Sequence, residues 1–251
     1  MNPSGGLRWH WRAWRSQRQW RGTREHLAQW LESVQPASDQ LLLLGPSAGW
    51  LLPSAFLTRF GQVHCWDIDP LAPFLFARRH GAALRAAGVS WTYQRGDAWA
   101  NLDKLLAAHP EAAVLFDNLL GQLRFHGPGT GAEAAAQVAA HLAAVERRIT
   151  GLRRRLAGRE WGSVHDLLSG PGRQAPPDQD DRMRRRKLRA GAPLAQDAWL
   201  AGLQPQSQWL DHLTAAVFAP GTTVYDIAWP FKPGYWHWLQ AGWVAPSSLS
   251  R

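Results

Sequence analysis

The stretch from Leu41 to Trp50 constrains the fold more than any other, because four consecutive leucines run directly into the small-residue turn Gly45-Pro46-Ser47-Ala48-Gly49. An unbroken apolar run is typical of a strand buried on both faces, as in a parallel sheet. The small residues leave room for another molecule to approach the backbone. A helix is expected at 53–60, with its amide-rich end toward the turn. The stretch therefore predicts an α/β fold with a ligand-binding loop after its first strand.

The composition fits one soluble domain with a large core. At 251 residues and 45% hydrophobic content, the chain is long enough for a single α/β unit. The only cysteine, Cys65, excludes an intrachain disulfide framework and a zinc cluster built from several cysteines. No apolar stretch approaches the roughly 20 residues that span a bilayer, so no transmembrane segment is expected. These features together favour a cytoplasmic protein.

The N-terminal region, residues 1–38, is predicted to be a basic, tryptophan-rich helical cap on a main domain at 39–251. Tryptophan alternates with basic residues in Arg8-Trp9-His10-Trp11-Arg12. Such rings either stack on nucleic-acid bases or pack against arginine inside the protein, and packing is the favoured interpretation. The main domain carries a Pro- and Arg-rich insertion at residues 171–193.

Acidic residues follow each of the next three predicted strands. The strand at 62–66 ends in Asp67, the strand at 89–94 in Gly96-Asp97-Ala98, and the strand at 112–116 in Asp117-Asn118. A carboxylate at the tip of the second strand, about 20 residues after a glycine-containing turn, is placed to accept hydrogen bonds from ribose hydroxyls. Each acid alone is more simply a turn or helix cap. Their repetition at successive strand ends favours a nucleoside-containing ligand.

These residues resemble the class I S-adenosylmethionine-dependent methyltransferases, over roughly residues 39–170. The resemblance implies a Rossmann-like sheet that is mostly parallel with a terminal antiparallel hairpin and helices on both faces. The alternating segments at 223–229 and 235–239, joined by a Lys-Pro-Gly turn, predict this hairpin from the residues themselves. It also implies S-adenosylmethionine as the cofactor. The methionine part would lie against Gly45, Pro46, Ser47 and Gly49, the ribose at Asp67, and the adenine at Asp97 and Ala98. The chain departs from the family at Leu43, where an acid is common, and at Ser47, where a second glycine is common.

The resemblance places methyl transfer at the residues that close the fourth strand, Asp117 and Asn118. His212 is a third catalytic candidate, because His165-Asp166 and Asp211-His212 could each set a base beside its orienting carboxylate or supply metal ligands. Sequence alone does not decide whether the two pairs meet. A structural histidine is the simpler interpretation, and no metal site is expected.

The predicted function is methyl transfer from S-adenosylmethionine to an acceptor that the sequence does not identify. The alternative is a non-catalytic methyltransferase-like module for binding or scaffolding. The net charge of +9 and the basic segment Arg182–Arg189 would suit nucleic acid or an acidic protein as a partner. The oligomeric state is not indicated.

Overall fold

A computed structural model describes residues 6–125, 134–171, 183–189 and 209–246 as helices packed on one mixed sheet. The strands are β1 (Gln40–Leu44), β2 (Gln62–Asp67), β3 (Ser90–Arg95), β4 (Ala113–Asp117), β5 (Trp161–Pro171), β6 (Met183–Lys187), β7 (Leu210–Asp211), β8 (Thr223–Lys232) and β9 (Tyr235–Val244). The α-helices are α1 (Leu7–Arg15), α2 (Arg21–Ser33), α3 (Ser54–Leu57), α4 (Ala72–Ala86), α5 (Leu102–Ala108), α6 (Leu119–Gln122) and α7 (Ala134–Arg155). Within these ranges, no helix is both long enough and apolar enough to cross a bilayer.

The strand order is β3-β2-β1-β4-β5-β9-β8-β6, with β7 beside β5. The first five strands in this order are parallel, whereas β9 runs antiparallel to β5 and to β8. The predicted Rossmann-like sheet with a terminal antiparallel hairpin is therefore confirmed. The chain reverses its direction of travel across the sheet between β1 and β4, and this switch point is where open α/β sheets bind ligands.

The leucine strand is buried on both faces, as predicted. Leu41 and Leu43 join the apolar cluster that contains side chains of α2, α3 and α4, while Leu42 and Leu44 join the cluster under α5 and α7. Each leucine is at most 1% exposed. Burial of each side chain stabilises the fold by about 1.5–3 kcal/mol. The helix expected at 53–60 is shorter than predicted and ends at Leu57.

The N-terminal helices pack against the hairpin. Trp9 and Trp20 contact the rings of Trp229 and Phe231, and the Thr23 hydroxyl donates to the Ala228 carbonyl at 2.9 Å. The packing interpretation thus holds for these two tryptophans. Trp11 and Trp14 are 59% and 67% exposed, but the Arg15 guanidinium lies over the Trp11 ring, 4.7 Å from its centroid, so Trp11 also packs against an arginine of the chain.

The insertion contributes a strand that the sequence did not predict. Within 183–189, β6 pairs antiparallel with β8, and its Arg184 and Arg186 form ion pairs with the fully buried Asp226. These two arginines therefore neutralise an internal acid. Arg182 lies outside the described residues, and binding of nucleic acid or an acidic protein by Arg182–Arg189 stays a prediction.

Candidate functional site

The loop after β1 is held tightly by its own neighbours. Gly45 has a φ of 74°, and a Cβ added there would lie 2.8 Å from the Leu119 Cβ. Gly49 has a φ of 63°, and a Cβ there would lie 2.5 Å from the His80 Nε2. Both glycines are thus required by backbone conformation and by close packing within the protein. The contact with Leu119 also joins the ends of β1 and β4.

Ser47 adopts a left-handed backbone conformation, with a φ of 50°, at the position where the family commonly has glycine. Its amide donates to the Asp67 Oδ2 at 2.7 Å, and its carbonyl accepts from the Tyr93 hydroxyl at 2.7 Å. Its hydroxyl accepts from the Trp9 Nε1 at 3.0 Å. The loop therefore keeps the conformation of a glycine-containing turn, although a serine occupies it.

Asp67 lies at the end of β2 beside this loop and is 8% exposed. Its second oxygen accepts from the Asp69 amide at 2.8 Å. Burial raises the pKa of Asp67, against the opposing effect of the two amide hydrogen bonds. Asp67 therefore fixes the backbone of the loop after β1 with its two oxygens, and its contact with a ribose stays a prediction.

The N-terminal cap covers the same region through Asp69, which the sequence analysis did not single out. The Asp69 Oδ2 accepts from the Gly6 amide at 2.9 Å and lies 2.9 Å from the His10 Nε2. Burial alone would raise the pKa of Asp69, but hydrogen bonds from His10, Gly6 and Leu71 lower it. The other His10 nitrogen accepts from the Trp50 Nε1 at 3.0 Å. The cap is thus anchored directly above the predicted cofactor loop.

The predicted adenine residues are less directly connected to the others. Asp97 accepts from the Ala100 amide at 2.9 Å, which is a local turn contact, and Ala98 is buried. Beside them lies an unexpected donor, the Nε1 of Trp66, which is buried and has no hydrogen-bond partner among the described residues. A Cβ added at Gly96 would lie 2.8 Å from this nitrogen. A buried donor without a partner is a natural contact for a ligand acceptor.

Asp117 and Asn118 close β4 at the switch point. Asp117 is 7% exposed, and burial, with the added effect of Asp67, raises its pKa to about 8. Asn118 has a φ of 55°, and its Oδ1 accepts from the Asp166 amide at 3.1 Å. The raised pKa favours the protonated form of the Asp117 carboxyl, and Asn118 ties the end of β4 to β5.

One residue from each of the two sequence pairs, Asp166 and His212, lies in a common cluster with a third residue, His237. Atoms of Asp166, His212 and His237 lie within 4.8 Å of one another, and His237 Nδ1 is 2.8 Å from Asp166 Oδ1. Burial alone would raise the pKa of Asp166, but His237 and His212 bring it down to about 2. Burial lowers the pKa of His212. No local pattern indicated His237, which lies on β9 and has no acidic residue near it in the sequence.

The remaining members of the two pairs point elsewhere. His165 is fully buried against Phe218, and its Nδ1 is 2.9 Å from the Ser163 hydroxyl. Asp211 is exposed, and its carboxylate accepts from the Leu213 amide at 2.7 Å. Neither residue belongs to the buried cluster.

Backbone strain gathers at this edge of the sheet. Ser47, Asn118 and Leu213 are the non-glycine residues with positive φ among those the structure describes. They lie in the loop after β1, at the end of β4, and directly after His212. Such conformations cost about 1–3 kcal/mol each and cluster at functional sites. The distribution supports a functional site here independently of any motif.

Two surface cavities have linings without any predicted site residue. One of about 430 Å³ is lined by His26, Gln29, Ser33, Met183, Arg185 and Tyr225. The other, of about 210 Å³, is lined by residues of α2 together with Leu51 and Pro53, which follow the loop after β1.

No protein-family model matches the chain, and no curated protein is significantly similar to it. Among solved structures, it is similar to a protein from Nostoc punctiforme PCC 73102 assigned as an O-methyltransferase, with 14% identity over 88% of this chain and 56% of that one and a TM-score of 0.38. It is similar to Haemonchus contortus phosphoethanolamine N-methyltransferase 2 in complex with phosphomonomethylethanolamine and S-adenosylhomocysteine, with 11% identity, coverage of 89% and 52%, and a TM-score of 0.39.

A third similar structure is an S-adenosylmethionine-dependent methyltransferase from Mesorhizobium loti, with 16% identity, coverage of 84% and 95%, and a TM-score of 0.35. The chain spans about half the length of the first two proteins. At these identities and TM-scores the similarities assign neither a substrate nor an activity.

Proposed function

We propose that this protein binds S-adenosylmethionine at the ends of β1, β2 and β4 and transfers its methyl group to an acceptor of unidentified structure. The observation that carries the proposal is the position of two buried acids, Asp67 and Asp117, at the ends of β2 and β4, where Asp67 helps to raise the pKa of Asp117. Both residues were predicted from the sequence, at separate strand ends. The location is the one at which open parallel sheets bind their ligands.

The charge of the site suits a cationic ligand. Burial raises the pKa of Asp67 and of Asp117, and Asp67 raises that of Asp117 further. A positive charge placed between them would favour the ionised form of both, and burial would strengthen the attraction. S-adenosylmethionine supplies its methyl group from a sulfonium cation, so its charge matches the site.

The adenine end has a matching feature. The Trp66 Nε1 is a buried donor without a partner among the described residues, beside the loop where the resemblance places adenine. An adenine ring offers acceptor nitrogens to such a donor. We assign Trp66 to this role in the proposal, together with Asp97 and Ala98.

Methyl transfer asks the protein mainly to align donor and acceptor, with a base only where the acceptor loses a proton. Asn118 is held by the Asp166 amide, so its side chain is oriented at the end of β4. His212 is the proposed positioning group on the acceptor side, because it lies in one cluster with Asp166, whose amide holds Asn118.

Calorimetry with S-adenosylmethionine and S-adenosylhomocysteine tests the proposal. Asp67→Asn should weaken S-adenosylmethionine binding about 10- to 100-fold, because a hydrogen bond to a charged group is lost. Trp66→Phe keeps the ring but removes the donor, and should weaken both ligands similarly. Asp39→Asn is the matched control, since Asp39 precedes β1 at the opposite end of the sheet and binds the Gly61 amide. It should leave both affinities unchanged.

A pH series sharpens the test. S-adenosylmethionine is cationic at sulfur and S-adenosylhomocysteine is not, so the preference for the former should grow as pH rises through about 8, where Asp117 ionises. If neither ligand gives a heat of binding, the proposal of a methyltransferase is wrong and the non-catalytic alternative is favoured.

A further inference from the structure

We propose that Asp166, His212 and His237 form a binding site for one divalent transition-metal ion, outside the proposed cofactor loop. The three residues come from β5, from the segment after β7 and from β9. One ligand atom of each lies within 4.8 Å of the other two. Two imidazoles with one carboxylate suit zinc, iron or cobalt ions, and three protein ligands leave a coordination position open.

A β-bulge brings two of the polar groups to one face. Residues 166 and 169 would point to opposite faces of a regular strand, since their spacing is odd. The pairing of β5 with β9 shifts between Asp166 and Leu168, so that Asp166 and Ser169 both face His237. Bulges of this kind re-aim side chains next to functional sites.

His212 is oriented as a metal ligand would be. Its Nδ1 lies 2.9 Å from the Gly121 carbonyl, which can only accept, so the proton is assigned to Nδ1. The lone pair is then on Nε2, which points toward the Ser169 hydroxyl at 2.9 Å. Metal-binding histidines almost always donate their second nitrogen to a carbonyl or carboxylate in this way.

Asp166 provides the independent indication of a ligand. The residue is 0% exposed, and its Oδ2 has no hydrogen-bond partner among the described residues. Its Oδ1 is 2.8 Å from the His237 Nδ1. A buried carboxylate oxygen without a partner is costly, and a cation beside it would remove that cost.

The three proposed ligands are held by sheet strands and a strained segment, and one of them is accessible to solvent. Asp166 and His237 lie on β5 and β9, in the middle of the sheet, and the strained Leu213, with a φ of 62°, holds the segment that carries His212. The His237 side chain is 12% exposed, so the cluster is reached from its side. Rigid elements are the better support for a metal site.

The proposal departs from the sequence expectation of no metal site, because it depends on a residue, His237, that no motif indicated. It does not depend on S-adenosylmethionine. If the protein binds metal but not S-adenosylmethionine, the metal site is retained and the proposed function is rejected. If it binds S-adenosylmethionine but not metal, the proposed function is retained and the metal site is rejected.

The test uses the full chain, free of any histidine tag and stripped of metal by a chelator. Zn²⁺ is titrated by calorimetry, and Co²⁺ is titrated by its visible absorption bands. The wild type should bind one equivalent of either ion, and Zn²⁺ should raise its Tm. His237→Gln and Asp166→Asn should each weaken Zn²⁺ binding about 100-fold and abolish the rise in Tm.

A double variant, His64→Gln with His109→Gln, is the control for adventitious binding, since these rings lie 4.3 Å apart at another part of the surface. It should bind metal as the wild type does. Circular dichroism verifies that each variant folds. If Asp166→Asn does not fold, the result for His237→Gln decides the test, because His237 is the least buried of the three ligands. The proposal is overturned if the wild type binds neither ion, if His237→Gln binds as tightly, or if binding disappears in the double variant.

Discussion

Substitution of Ser47 separates the two effects that its structure combines, a strained backbone and a hydroxyl hydrogen bond. Ser47→Ala and Ser47→Gly both remove the acceptor of the Trp9 indole, 3.0 Å away. Only glycine also relieves the left-handed conformation at a φ of 50°. The difference in stability between the two variants therefore measures the backbone strain, reduced by the greater freedom of glycine in the unfolded chain.

The expected magnitudes follow from these contacts. Loss of the hydroxyl costs about 1 kcal/mol in either variant, because the indole N–H loses its partner. Relief of the left-handed conformation returns about 1–2 kcal/mol in the glycine variant. The greater freedom of glycine in the unfolded chain removes about 0.4–1 kcal/mol of that gain. Ser47→Gly should thus be close to the wild type in stability, and Ser47→Ala less stable than Ser47→Gly by about 0.5–1 kcal/mol.

Urea denaturation measures these differences, with the same m-value required for all variants. Ser90 on β3 is the matched control, since it is exposed and its backbone lies outside the positive-φ region. There the order should reverse, with glycine less stable than alanine by about 0.5–1 kcal/mol. In a Trp9→Phe background, loss of the Ser47 hydroxyl should cost little. Equal stability of the two variants at position 47, or a more stable alanine, would refute the strain argument.

Three further predictions test other parts of the structure. Asp117 has a pKa of about 8 in the folded protein and 3.8 ordinarily, so the folded state holds an extra proton between these values. Between about pH 6.5 and 8, above the range in which the buried His80 and His165 take up protons on unfolding, stability should therefore fall by about 2 kcal/mol, and Asp117→Asn should remove this fall in denaturation at several pH values. Asp226→Ala should cost about 3 kcal/mol in urea, because it leaves two arginines of β6 without their buried acid; a cost below about 1 kcal/mol would contradict the pairing. Gly45→Ala should cost about 3 kcal/mol by calorimetric melting, since the added Cβ would meet Leu119 at 2.8 Å in a left-handed conformation. An unchanged Tm would show that the loop can rearrange.

Local patterns predicted the part of the structure that local residues determine. The leucine run predicted β1, and the two alternating segments around the Lys-Pro-Gly turn predicted the hairpin of β8 and β9. The acids at strand ends were placed at one edge because parallel strands share a direction. Asp67 and Asp117 could therefore be expected at the same edge of the sheet from sequence alone.

Features that depend on distant pairing were not predicted. Met183–Lys187 has no strand pattern, and it forms β6 because β8 offers an edge and Asp226 a buried charge. The Asp166 cluster requires a bulge in β5 and a partner on β9, and neither leaves a signal in a short window. The conformation of Ser47 was also hidden, because its residue type alone gives no reason for positive φ.

The place of β6 at one end of the described sheet has a consequence for solubility. A terminal strand offers backbone groups to which a strand of another molecule can add. Here that strand carries three arginines and a lysine, so two copies approaching edge to edge would bring like charges together. The same basic run that suggested an attraction to acidic partners thus opposes self-association of the chain through its sheet.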